Sequence, residues 1–98
     1  MTTITGNIKT GRKTVGLATV QLTTDGSLTT EKGIQIYADI SNSGIVYVGN
    51  SDVTANSSDT TDGFPLDPGN SFLVPIRHPY RLHLVSNVTN SKVWWMTL

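Results

Sequence analysis

Apolar and polar residues alternate along much of the chain, and the clearest alternation runs through residues 33–40. A period of two is typical of a β-strand with one buried face. The polar turn 41–44 and a second apolar run over 45–49 follow, so these two strands are predicted to form a hairpin. The apolar face of the first strand consists of Ile34, Ile36, Ala38 and Ile40, and its other face consists of Gln35, Tyr37 and Asp39.

Further segments have strand character on both sides of this pair. Residues 71–77 form a convincing strand, and Pro75, which has no N–H to donate, places that strand at a sheet edge or at a bulge. The other predicted strands are 14–22, which is weaker, 80–85, with Tyr80, Leu82 and Leu84 inward, and 92–98.

Strand spacing predicts the fold class. About seven short strands separated by turns at roughly ten-residue intervals are typical of an all-β domain, either a small antiparallel β-sandwich or a barrel. A single domain covers residues 1–98, with a long polar loop over 50–63. Residues 1–12 are predicted to form an extended N-terminal arm, and the alternative is a looser strand over residues 2–8. The residues predicted to be largely buried are Ile34, Ile36, Ile40, Val46, Val48, Leu82 and Leu84.

Composition supports strands and narrows the possible partners. Fifteen threonines against one glutamate favour a pleated sheet over helices. The net charge is zero, which argues against a nucleic-acid partner, because phosphate binding needs a basic excess. Uninterrupted apolar runs reach only four residues, so no membrane partner is expected. With no cysteine, a disulfide or thiolate metal site is excluded.

Catalytic and metal-binding patterns are weak. His78 and His83 are the two histidines, and no Gly-x-Ser-x-Gly nucleophile elbow accompanies them, so we expect no enzyme activity and no catalytic residue. Asp52 and its acidic neighbours do not have the spacing of a calcium loop, so we expect no metal and no cofactor.

Aromatic residues are the first candidate for a binding surface. Trp94 and Trp95 are adjacent on a strand, so their rings must point to opposite faces. One ring can fill the core, while the other points outward, on a face that Tyr37 and Tyr47 are expected to share. Because side chains alternate along a strand, Trp94 is expected to share its face with Met96 and Leu98. Exposed aromatic rings indicate a protein interface or a carbohydrate-stacking platform.

Charge is segregated along the sequence. Residues 51–70 contain four aspartates, Asp59 and Asp62 among them, and no lysine or arginine. Arg77 and Arg81 belong to a later stretch, 77–92, that contains no acidic residue. Such blocks can make complementary contacts with copies of the chain or with a large partner, and the alternative is that they serve only solubility. An unpaired edge strand can pair with other chains, so we expect a closed dimer or trimer that covers the sheet edges.

Part of the sequence resembles small virion proteins of tailed bacteriophages. The similar residues are Gly44-Ile45-Val46-Tyr47-Val48-Gly49-Asn50-Ser51-Asp52-Val53-Thr54, Gly63-Phe64-Pro65-Leu66-Asp67-Pro68-Gly69-Asn70-Ser71, Lys13-Thr14-Val15, Val20-Gln21-Leu22 and Ile34-x-Ile36-x-Ala38. They span most of residues 11–76.

The resemblance implies a non-enzymatic structural protein of the virion. The leading hypothesis is a capsid decoration or cement protein, made in the host cytoplasm and located on the capsid surface, where it binds the major capsid protein or other virion proteins. The alternatives are a neck, tail or fibre-base component, or a carbohydrate-binding module. The candidate interface residues are Tyr37, Tyr47, Asp59, Asp62, Arg77, Arg81, Trp94 and Trp95.

Overall fold

Eight β-strands and one short 3-10 helix make up the regular structure of the residues that the structure describes. The computed structural model describes residues 8–55 and 62–98. The strands are β1 (Thr10–Val15), β2 (Val20–Gln21), β3 (Ile34–Ala38), β4 (Val46–Gly49), β5 (Phe64–Leu66), β6 (Ser71–Val74), β7 (His83–Ser86) and β8 (Ser91–Thr97), and the 3-10 helix spans Pro79–Arg81.

The strands form two antiparallel four-stranded sheets. Sheet 1 has the order β1-β8-β3-β6, and sheet 2 has the order β2-β7-β4-β5. The antiparallel pairs β1·β8, β2·β7, β3·β6 and β4·β5 are therefore nested one inside the next. Two four-stranded sheets wound in this way are the arrangement of an eight-stranded jelly roll. The predicted all-β sandwich is confirmed, with eight strands because 14–22 divides between β1 and β2 and residues 64–66 form a strand of their own.

The core lies between the two sheets. Alternate residues of β3 and β8 from sheet 1 meet alternate residues of β4 and β7 from sheet 2. Full burial of a valine, leucine or isoleucine side chain contributes roughly 1.5–3 kcal/mol to the stability of the fold. The central cluster consists of Val15, Leu22, Ile34, Ile36, Ala38, Val46, Val48, Leu66, Leu82, Leu84 and Val93.

Ile40 is the error in the predicted core, because its side chain is 75% exposed. Strand β3 ends at Ala38, two residues earlier than the alternation suggests. The Asp39 carboxylate accepts a hydrogen bond from the Ser41 N–H at 3.0 Å, and the Asp39 carbonyl accepts one from the Asn42 N–H. This turn takes the chain out of the sheet, so the alternation of faces no longer applies at Ile40.

The predicted hairpin between β3 and β4 is also wrong. Strand β3 pairs with β6 and β8 in sheet 1, whereas β4 pairs with β5 and β7 in sheet 2. Residues 39–45 therefore cross from one sheet to the other.

The predicted position of Tyr80 on a strand also needs correction. Tyr80 lies in the 3-10 helix and is half-buried, and the strand begins only at His83.

The prediction that Pro75 marks a sheet edge agrees with the position of β6. Strand β6 borders sheet 1 and ends at Val74, directly before Pro75.

The predicted N-terminal arm stays a prediction. Residues 10–12 lie in β1, while residues 1–7 are outside the described part.

Candidate functional site

The two tryptophans lie on opposite faces of sheet 1. Ser91 and Val93 of β8 are buried, and Trp95 packs against the core, whereas Trp94 and Met96 point outward and are 43% and 36% exposed. Leu98, just beyond the strand, is also exposed. The predicted opposite facing of the two rings is confirmed, and the structure shows that Trp94, rather than Trp95, carries the outward ring.

Neighbouring strands bring further side chains to Trp94. In the register of the sheet, Trp94 lies opposite Arg12 of β1 and Tyr37 of β3, while Met96 lies opposite Gln35. Leu73 of the edge strand β6 is the next residue across from Gln35 and is 47% exposed. We call this surface the Trp94 face, and its residues are Arg12, Gln35, Tyr37, Leu73, Trp94 and Met96.

A shallow, mostly apolar groove of about 320 Å³ runs over the Trp94 face between β1 and β3. The Arg12 guanidinium carbon lies 5.4 Å from the centre of a Trp94 ring, which is within the range of a cation–π contact. Such a contact is worth roughly 0.5–1 kcal/mol at an exposed site. Arg12 therefore covers part of the indole and leaves the remaining apolar surface open to a partner.

Asp39 holds the other end of the Trp94 ring. The indole Nε1–H donates to Asp39 Oδ2 at 3.4 Å. Hydrogen bonds from the Ser41 backbone N–H and then from the Trp94 indole lower the pKa of the Asp39 carboxyl below its ordinary value of 3.8. Arg12 and Asp39 both contact the exposed indole, and these two contacts restrict its orientation.

The lowered pKa of Asp39 predicts a pH-dependent change at Trp94. The favourable contribution of the carboxylate is present above its unfolded pKa and is lost as the pH falls through its lower folded pKa. Acidification through this lowered pKa should therefore protonate Asp39 and weaken its hydrogen bond with the indole N–H. The measurement is the chemical shift of the Trp94 indole proton between neutral pH and about pH 2.5.

A second aspartate provides the control for that titration. Hydrogen bonds from Ser27 lower the pKa of Asp25, but these bonds hold no aromatic ring. Asp39→Asn should remove the acid-induced shift of the Trp94 indole proton, and Asp25→Asn should leave it intact. An unchanged titration in Asp39→Asn would show that the hydrogen bond does not hold the ring in solution.

Trp95 is positioned by a glycine on the neighbouring strand. Gly11 lies opposite Trp95, and a Cβ built on Gly11 would lie 2.5 Å from Cζ2 of the Trp95 ring. Only glycine lets the indole lie this close to the backbone of β1. Trp95 is therefore a packing residue that borders the groove from below, and the interface role predicted for it is left untested.

Tyr37 and Tyr47 do not share a face. Tyr37 lies beside Trp94 on sheet 1, as predicted. Tyr47 belongs to β4 of sheet 2, where it lies opposite Val85 and Pro65. The difference follows from the wrong hairpin, because two strands of one hairpin would have placed both rings in one sheet.

The charged blocks of the sequence are partly mixed in space. Arg81 and Asp52 line the same polar cleft of about 650 Å³, together with His83. Arg81 donates a hydrogen bond from Nε to the Tyr80 hydroxyl at 3.4 Å, and this bond raises the pKa of Arg81. Arg77 lies in a separate recess beside Glu31 and Lys32. None of these described charges lines the groove of the Trp94 face.

The two candidate acidic residues have different outcomes. Asp62 accepts a hydrogen bond from the Thr54 hydroxyl at 2.8 Å, where the two residues also form a β-bridge across the base of the long loop. Asp59 lies outside the described residues. Their predicted interface roles stay predictions.

The two histidines have different surroundings. His83 Nδ1 is 3.1 Å from the Arg81 carbonyl oxygen. The His78 ring lies 5.7 Å from the Tyr80 ring, and its buried Nδ1 has no hydrogen-bond partner among the described residues. Within residues 8–55 and 62–98, no three acidic or histidine side chains meet as metal ligands, and no helix is long and apolar enough to cross a bilayer.

Sequence reasoning missed four members of the Trp94 face: Arg12, Gln35, Leu73 and Met96. Alternation along the strand grouped Met96 with Trp94, and no sequence pattern pointed to Arg12. The signal that finds the others is the register of β1, β3, β6 and β8, which the sequence pattern does not contain.

No protein-family model, curated protein or solved structure matches this chain, so its own geometry and the resemblance noted above carry the functional argument.

Proposed function

We propose that the protein is a non-enzymatic structural component of a bacteriophage virion, and that it decorates the capsid by binding the major capsid protein through the Trp94 face. The observation that carries this proposal is the apolar outer surface of sheet 1. Trp94, Met96 and Leu73 lie exposed on one sheet face, although the two sheets already enclose a core between them.

Three features support a role in protein binding. Exposed apolar side chains grouped on one face are typical of protein interaction sites, and aromatic residues, methionine and arginine are enriched there. The fixed Trp94 ring reduces the entropy lost on binding. Jelly rolls are used in viral capsid proteins, although a fold alone does not determine a function.

Many identical copies on a capsid make weak contacts effective. A lattice that engages several contacts together gains avidity without any new contact. We propose that the protein assembles as a closed dimer or trimer on the particle, since closed point-group symmetry is the usual form of a homo-oligomer. The copy number separates the head from other virion locations: hundreds of copies per particle support decoration, and a handful support a neck, tail or fibre-base role.

The experiment compares two leucines on purified particles that lack the protein. Leu73 lies on the Trp94 face, whereas Leu17 is 65% exposed in the loop between β1 and β2. Leu73→Glu should lower retention on particles about tenfold or more, because a desolvated unpaired charge is costly at an interface. Leu17→Glu is the matched control and should bind like the wild type.

Melting temperatures of both variants show whether the fold is intact. Equal retention of a folded Leu73→Glu and the wild type would contradict binding through the Trp94 face. Absence of the wild-type protein from particles would contradict the virion role itself.

A carbohydrate-binding module is the second candidate, favoured by the neighbouring Trp94 and Tyr37 rings. Aromatic rings on an open sheet face can stack on sugar rings. Binding of the free protein to isolated glycans, lost in Trp94→Ala, would favour this alternative over capsid decoration.

A further inference from the structure

The free edge of sheet 1 at β1 is a second surface that can bind a partner. Strand β1 comprises the six residues Thr10–Val15 and pairs with β8 along one side only. No described strand pairs with its other side. A sheet edge of this kind presents unpaired backbone groups on which another strand can form.

The pairing with β8 determines which backbone groups are free. The Thr97 N–H donates to the Lys9 carbonyl at 2.9 Å, so Lys9 and Thr97 form a hydrogen-bonded pair. Hydrogen-bonded pairs alternate with non-hydrogen-bonded pairs in an antiparallel ladder. The N–H and C=O groups of Thr10, Arg12 and Thr14 therefore point away from β8 and toward the free edge.

The other borders of the two sheets are less suited to adding a strand. Strand β2 has only two residues, and β5 contains Pro65. Strand β6 ends directly before Pro75, which has no N–H at the next edge position. Short edges and prolines are common means of blocking edge pairing. Among the described borders, β1 is the longest and has no proline.

The charge of β1 opposes pairing with a second copy of itself. Lys9, Arg12 and Lys13 lie in or beside the strand, and residues 8–22 contain no acidic residue. The backbone alternation allows three central antiparallel registers between two β1 strands. They place Arg12 opposite Arg12, Lys13 opposite Lys13, or Lys9 opposite Lys13. Like charges directly opposite each other are destabilising in each case.

We propose that the β1 edge binds an extended acidic segment of a partner protein, which adds to sheet 1 as a fifth strand. Backbone hydrogen bonds to Thr10, Arg12 and Thr14 would hold the segment, and its carboxylates on the Trp94 side of the sheet would face Arg12. The same charges that exclude a second β1 select this partner. The proposal is independent of the virion role, because it concerns the strand edge and any protein that carries such a segment.

The test uses a capped peptide of about seven residues in which aspartate alternates with valine and threonine, a length that matches a typical strand. Nuclear magnetic resonance of the full chain follows amide exchange and chemical shifts during titration. The amides of Thr10, Arg12 and Thr14 should become protected when the peptide binds, whereas those of Gly11 and Lys13 already pair with β8. A peptide with lysine in place of aspartate should bind at least about tenfold more weakly.

Two substitutions at one residue separate the backbone from the side chain. Thr14→Pro removes an edge N–H that β8 does not use and should weaken peptide binding about tenfold, while Thr14→Val keeps the N–H and should bind normally. If Thr14→Pro lowers the melting temperature strongly, Thr10→Pro makes the same test at the other end of the strand.

Several outcomes would overturn the proposal. These are the absence of protection at the three edge amides at millimolar peptide, equal binding of the aspartate and lysine peptides, and unchanged binding by a folded proline variant. A dimer of the free protein that Thr14→Pro dissociates would also overturn it, because a second copy would then occupy the edge.

Discussion

Replacing Ile36 by alanine should lower the free energy of unfolding by about 2–5 kcal/mol, the range for truncating a buried isoleucine or leucine. Ile36 lies in the centre of β3 and has no exposed surface. The cost combines the loss of apolar burial with a cavity that the surrounding sheets fill only in part. A domain of this size has little stability in reserve, so the variant is expected to be partly unfolded near body temperature. Chemical denaturation monitored by circular dichroism measures the difference.

Ile40 provides a control of the same residue type from the same face of the predicted strand. Its side chain is largely exposed, so Ile40→Ala should change the unfolding free energy by about 0.5 kcal/mol or less. A loss at Ile40 as large as that at Ile36 would mean that the chain does not leave the sheet at Asp39.

The second large effect is expected from Trp95→Ala, which should cost about 3 kcal/mol or more of unfolding free energy. The Trp95 ring packs on the core and against Gly11, so its loss leaves a cavity under β1. Trp94→Ala, one residue away, should leave stability within about 1 kcal/mol and instead weaken partner binding by about 2 kcal/mol. Thermal unfolding and retention on particles measure the two effects separately.

The two tryptophan variants must differ if the faces are assigned correctly. Equal destabilisation by both would place both rings in the core. Normal folding of both, with wild-type retention on particles, would show that neither ring contributes to the interface.

Local pattern predicted the sandwich and most of its core. Alternation identified Ile34 and Ile36 as buried because a strand has a fixed period of two. The same rule failed at Ile40, where hydrogen bonds to Asp39 end the strand. A turn made by side-chain oxygens competes with the ladder and is not visible in the hydrophobic pattern.

Long-range pairing was beyond the reach of the pattern. The adjacency of Trp94 and Trp95 requires opposite faces, and this part of the candidate site was predicted correctly. The approach of Arg12 to Trp94 depends on strands that are far apart in sequence. For the same reason Tyr47 was assigned to the wrong sheet, since a turn between two strands does not by itself make them neighbours.

The central position of β8 in sheet 1 has a consequence for the synthesis of the protein. Strand β8 lies between β1 and β3, so β3 can pair only with β6, and β1 with no described strand, until residues 91–97 have left the ribosome. Strand β1 must therefore wait in an unpaired state while residues 16–90 are translated. Closing such a long loop before any contact is gained makes folding slow and exposes strand edges to aggregation. A stop codon within β8 should consequently leave a chain in which β1 cannot join sheet 1, which makes this short segment decisive for the yield of folded protein.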